Sequence, residues 1–111
     1  TEAVGGKDRG PQPKPLMLAA LGGCTAMDVV SMLKKMRVEL KGLNIIVDGE
    51  LTEEHPKQYE SMHLIYEFTG TDLPLEKLEK AVNLSQERYC GVSAMYRKAI
   101  EITYEIVIKE A

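Results

Sequence analysis

The sequence predicts an α+β domain built around one long apolar helix. Three observations carry this. Thirteen of the eighteen residues from Leu16 to Leu33 are apolar, the hydrophobic period changes to two at Leu43, and an amphipathic helical stripe separates two strand-like alternations from a third. At 111 residues the chain is read as a single domain, 1–111.

Thr1 to Lys14 carries Gly5, Gly6, Gly10, Pro11 and Pro13 and reads as a polar loop. Pro15 fits the first turn of the following helix, where its missing N–H is not needed. The apolar residues of Leu16 to Leu33 fall on every side of a helical wheel, so protein is expected to surround this helix. A membrane span needs about 20 apolar residues, and here only Leu16 to Met27 is free of charge before Asp28, so no span is expected. The helix should run to about Leu40, with Lys34, Lys35 and Arg37 at the negative end of its dipole and Gly42 as its stop.

From Leu43, the residues Leu43, Ile45, Val47 and Leu51 alternate against Asn44, Asp48 and Glu50, which is a half-buried strand. Thr52 to Gln58, with His55-Pro56 inside it, is a turn. Met62, Leu64, Tyr66 and Phe68 then alternate against His63, Glu67 and Thr69, and the two strands make an antiparallel hairpin. Thr71 or Asp72 should cap a second helix with Pro74 in its first turn, its inner stripe being Leu75, Leu78, Val82, Ser85 and Tyr89. Cys90 and Gly91 end it, Val92 to Ala99 form a short helix, and Ile100 to Ile108 form the last strand. An antiparallel sheet of three strands has open edges, which further strands or a second subunit normally cover.

Net charge is −3, Trp is absent and Phe occurs once. There is no basic field for nucleic acid or an anionic membrane, and few rings for base stacking, so neither partner is expected. The polar start does not read as a secretory leader, and two cysteines suit a reducing, cytoplasmic setting in which thiols stay reactive.

Gly22-Gly23 ahead of Cys24 removes two side chains just before a thiol, which permits a kink and the approach of another backbone or a small substrate. An unpaired Cys is also among the most commonly buried residues, so Cys24 reads either as core packing or as a reactive thiol. A second thiol, Cys90, stands at a helix end. Two such thiols suit a peroxide-reducing cycle, in which one becomes a sulfenic acid and the other condenses with it.

Four stretches carry a more specific signal: Gly-Pro-Gln-Pro at 10–13, Leu-Ala-Ala-Leu-Gly-Gly-Cys-Thr-Ala-Met-Asp-Val-Val at 18–30, Glu-Glu-His-Pro at 53–56, and Leu-Ser-Gln-Glu-Arg-Tyr-Cys-Gly-Val-Ser-Ala-Met at 84–95. They resemble the OsmC/Ohr superfamily of osmotically inducible and organic-hydroperoxide-resistance proteins, and especially its small YhfA-like branch. The resemblance implies two long central helices packed on antiparallel sheets, two chains intertwined as a homodimer, and N-terminal strands that are expected to be absent from this chain. It implies Cys24 as peroxidatic and Cys90 as resolving thiol, organic hydroperoxides as substrates, and an external dithiol such as a lipoyl protein as reductant. No metal, haem or flavin cofactor is implied.

In that family an N-terminal Arg polarises the thiolate. Arg9 is the only Arg upstream of Cys24 and is the candidate substrate-binding residue here. Where many relatives carry a carboxylate to orient that Arg, this sequence has Lys14-Pro15. His55 and His63 share no short ligand spacing with the cysteines, so they read as surface residues rather than metal ligands. Asp28, one turn after Cys24, is expected to pair locally, and Tyr89, Met27 and Met95 are expected in the core or a dimer contact. A second reading keeps the same fold without catalysis, binding a small hydrophobic or thiol ligand at the dimer interface.

Overall fold

The computed structural model describes residues 12–111. In order these form α1 (Pro13–Lys35), β1 (Gly42–Leu51), β2 (Tyr59–Gly70), α2 (Leu75–Leu84), a π-helical turn (Ser85–Tyr89), α3 (Gly91–Tyr96) and β3 (Glu101–Glu110). The α+β class stands, and α1 and the helical run from Leu75 to Tyr89 are its two long helices.

Helix α1 starts with Pro at its first positions and ends five residues earlier than the charge pattern predicts. The stop is Arg37, in a left-handed conformation at φ 61. Val38 N–H donates to Leu33 O at 2.9 Å and Arg37 N–H to Lys34 O at 3.1 Å, which together satisfy the last turn without a glycine. Gly42 instead opens β1. The helix continues without a break through Gly22 and Gly23.

Only one stripe of α1 is buried within the chain, Leu21, Thr25, Val29 and Leu33, at a spacing of four. Met27 is 76% exposed, and Val30 and Leu16 are exposed as well, so the chain alone does not surround the helix. By length and composition α1 is apolar enough to cross a membrane, with 28% of its most apolar window buried. In the fold it lies on β1, α2, the π turn and α3.

The sheet has the order β1-β2-β3. β1 and β2 form the antiparallel hairpin, but β3 runs parallel to β2, so the sheet is mixed. The reason is the connection: the chain leaves β2 through α2, the π turn and α3 and returns to the same end, a crossover that delivers a parallel strand. The inward side chains of β2, Met62, Leu64, Tyr66 and Phe68, are fully covered and meet Leu21, Val29, Leu33, Leu78 and Val82 in one core. A register shift between Glu50 and Leu51 ends the alternation of β1 and leaves Leu51 exposed. Gly49 is required there, because a Cβ would stand 2.5 Å from the Tyr59 ring.

Pro74, not Thr71 or Asp72, occupies the N-cap of α2, with no side-chain cap, and Asp72 takes a positive φ of 51. The stripe of the second helix holds at Leu78, Val82 and Ser85 but fails at its two ends, at Leu75, which is 49% exposed, and at Tyr89, which is 58% exposed. The π turn is the cause at Tyr89, since one extra residue in the last turn, with Cys90 N–H donating to Ser85 O at 2.7 Å, rotates the chain beyond it. Gln86 is buried in its place.

Candidate functional site

Cys24 sits in the middle of α1 and Asp28 one turn later, so both project from the same side of the helix. Cys90 is the N-cap of α3, where its sulfur accepts a hydrogen bond from Ser93 N–H at 3.3 Å. The fold joins these segments. The Cys24 and Cys90 sulfurs and an Asp28 carboxylate oxygen all lie within 4.8 Å of one another. Both cysteines are free thiols; Cys24 is half-buried and Cys90 is 2% exposed. A cleft of about 610 Å³, lined in part by Lys35, Lys80 and Tyr89, reaches Asp28.

Burial pushes the Cys90 thiol up to about 11, with the neighbouring Cys24 sulfur adding to it and the Ser93 N–H opposing it. No cation figures among these influences.

A chain of buried side-chain hydrogen bonds backs the three residues, and its direction follows from its end. Asp28 accepts from the Ser85 hydroxyl at 3.0 Å. Ser85 therefore accepts from the Thr25 hydroxyl at 2.7 Å, and Thr25 accepts from Tyr66 O–H, also at 2.7 Å. Gln86 N–H donates to the Tyr66 oxygen at 2.7 Å, while its carbonyl accepts from Ser93 O–H at 2.6 Å. Arg97 donates to the Ser93 oxygen at 3.2 Å. Among the described residues no buried side-chain polar atom lacks a partner. Burial raises the Tyr66 phenol above its ordinary value, against the bonds to Thr25 and Gln86.

Arg9 lies outside the described residues. His55 lies in the β1–β2 turn, where its peptide bond to Pro56 is cis, and His63 faces outward from β2, bonded to Thr103 and Glu105. Neither approaches the thiols. Met95 is 72% exposed, so Met27, Tyr89 and Met95 all lie outside the core of this chain. The sequence reading missed Gln86, Ser93 and Tyr66 as supports of the site. Only the polar Ser85 in an apolar stripe signalled a network. The i, i+4 spacing of Cys24 and Asp28 was the available signal for the third site residue.

The family described as OsmC-like protein matches residues 5–105. Protein YhfA of Escherichia coli strain K12 is 40% identical over 102 residues, covering 90% of this chain and 76% of that protein. A hypothetical protein of Aquifex aeolicus has a crystal structure that superposes with a TM-score of 0.82 at 36% identity, covering 92% of this chain and 78% of that one. The organic hydroperoxide resistance protein OhrB of Bacillus subtilis shares the fold at 21% identity and a TM-score of 0.69, covering 94% and 74%.

Proposed function

The chain belongs to the OsmC-like family, and on that premise we propose that it is a thiol-dependent reductase of organic hydroperoxides acting in stress defence. The observation that carries this reading is the approach of the Cys24 and Cys90 sulfurs to within 4.8 Å, although 66 positions separate them in the sequence. The name of the Bacillus subtilis relative, an organic hydroperoxide resistance protein, points to the same substrate class.

The half-buried Cys24 is the attacking sulfur and the covered Cys90 the resolving one. The Cys24 thiolate attacks the O–O bond, taking one oxygen as a sulfenic acid, while the other oxygen leaves as alkoxide and is protonated to the alcohol. The Cys90 sulfur then displaces hydroxide from the sulfenic acid, giving a disulfide and water. An external dithiol such as a lipoyl protein reduces that disulfide by exchange and is itself oxidised to a disulfide. The exposed apolar side of α1, with Met27 and Val30, is the seat of a second copy in the proposed homodimer.

Reduced protein in chelator is mixed with cumene hydroperoxide and its thiols are counted by mass spectrometry. Loss of both thiols as one intramolecular disulfide is expected, with Cys90→Ser stopping at a sulfenic acid that dimedone traps and Cys24→Ser inert. Two untouched thiols in the unaltered chain overturn the reading. The groove between α1 and β1, lined by Leu18, Gly22, Ala26, Val30, Ile45 and Val47, favours the second reading of ligand binding without catalysis. In that case Cys24→Ser keeps any thermal stabilisation by an apolar ligand.

A further inference from the structure

We propose that Cys24, Asp28 and Cys90 form a site for a thiophilic divalent cation of the zinc class, with two sulfurs and one carboxylate oxygen as ligands and a fourth position left for water or an exogenous thiol. The inference uses the sulfurs assigned above to peroxide reduction but does not depend on that chemistry.

Geometry comes first. A tetrahedral zinc with Zn–S near 2.3 Å and Zn–O near 2.1 Å holds its ligand atoms roughly 3.5–3.8 Å apart. The three atoms here already lie within 4.8 Å of one another, from two elements that the core fixes together. Closing the remaining gap takes side-chain adjustment rather than rearrangement of the fold. The donor set is also appropriate, because two thiolates and a carboxylate are a borderline-soft combination that selects zinc over magnesium or calcium.

The surroundings are those of a supported ligand set. Ser93 N–H already points at the Cys90 sulfur, and in the complex it would offset thiolate charge. Asp28 accepts one hydrogen bond among the described residues, from Ser85 to Oδ2, so lone pairs remain for a metal while the hydroxyl chain behind Ser85 fixes the carboxylate. A bound dication offsets the negative charge of two thiolates and a carboxylate brought to one point. Binding releases one proton from each thiol to solvent and changes no oxidation state. With three protein ligands the site is of the open kind, and a cleft reaches its Asp28 ligand.

The test is titration of the reduced full chain with Co²⁺, read by its spectrum. A sulfur-to-cobalt charge-transfer band in the near ultraviolet with intense tetrahedral bands in the visible is expected, and Zn²⁺ should bleach both. Cys24→Ser and Cys90→Ser each lower the charge-transfer intensity and weaken binding well beyond the roughly 10–100-fold that loss of a supporting partner costs. Asp28→Asn keeps the shape of the side chain, so circular dichroism is expected to report an unchanged fold while affinity falls. Ser85→Ala, whose lost hydroxyl bonds Asp28 alone among the three ligands, is expected to cost about tenfold. No sulfur band, a weak octahedral spectrum from surface carboxylates, or a full band in Cys24→Ser overturns the inference. These readouts need no peroxide turnover. An inert protein with an intact cobalt band refutes the proposed activity alone, and a reactive protein with no band refutes the metal site alone.

Discussion

Two sets of side-chain hydrogen bonds of nearly equal length stand on opposite faces of β2. Inward, the Tyr66 hydroxyl is 2.7 Å from Thr25 Oγ1, and Gln86 and Ser85 extend the chain toward Ser93 and Asp28. Outward, His63 Nδ1 is 2.6 Å from Thr103 Oγ1 and Nε2 is 3.0 Å from Glu105. Bond length does not separate them. What separates them is the replacement available when a bond is lost, since water reaches the outer set while the inner residues Thr25, Ser85, Gln86 and Ser93 are buried. The inner set ties the helix bearing Cys24 and Asp28 to the segment bearing Cys90, so stability and site geometry share the same bonds.

The largest expected effect is therefore at Gln86. Gln86→Leu leaves the Ser93 hydroxyl without its acceptor and the Tyr66 oxygen without its amide donor, both in the interior. A loss of about 3 kcal/mol is expected, read as a lower urea midpoint with an unchanged slope. A loss under about 0.5 kcal/mol would place the inner set in the class of ordinary surface contacts, and the contrast between the two faces would vanish.

Alkaline pH sharpens the same contrast from the side of Cys90. Its thiol is raised from an ordinary value near 9 to about 11 in the fold, because burial and the adjacent sulfur favour the neutral form. The folded chain thus holds this proton more tightly than the unfolded chain. The corresponding stabilisation is complete below pH 9 and is lost as pH rises from about 9 to about 11. Tyr66 is also raised, but from 10, so its contribution begins to fall later. In chelator, the unfolding midpoint of the unaltered chain is expected to decline between pH 9 and 10, and Cys90→Ser is expected to flatten that decline. The same decline in both proteins would sink the assignment to Cys90.

How much of this was legible in sequence depends on whether a signal was local. The hairpin was, because period two and a turn are written in consecutive residues of β1 and β2. The end of α1 was not, because a side chain at Arg37 occupies a backbone conformation that sequence patterns reserve for glycine. The parallel pairing of β3 was hidden as well, since its alternation reads the same in either direction and only the helical crossover decides it. At the site, the family-specific strings pointed to Cys24 and Cys90, and the fold brings these two together. Gln86 escaped because a π turn, invisible to a 3.6-residue period, moved it inward and turned Tyr89 out.

Adjacent glycines in α1 test the two sides of that helix with a smaller effect. A Cβ at Gly23 would meet nothing within 4 Å, whereas one at Gly22 would stand 3.1 Å from Val47 Cγ2. Gly23→Ala should stabilise the folded chain by up to about 1 kcal/mol through helix propensity, measured in dilute solution by urea unfolding. Gly22→Ala should gain less or lose, because β1 must give way. Equal gains would mean that α1 does not approach β1 closely at Gly22.

The smallest effect is expected on the outer face. His63→Ala removes both outward bonds at once, yet Thr103 and Glu105 are exposed and water takes up what they lose. The change should stay within about 0.5 kcal/mol at pH 7. A loss comparable with that at Gln86 would show that accessibility to water does not set the worth of these bonds. The buried chain behind Asp28 would then have no special claim to hold the two thiols in place.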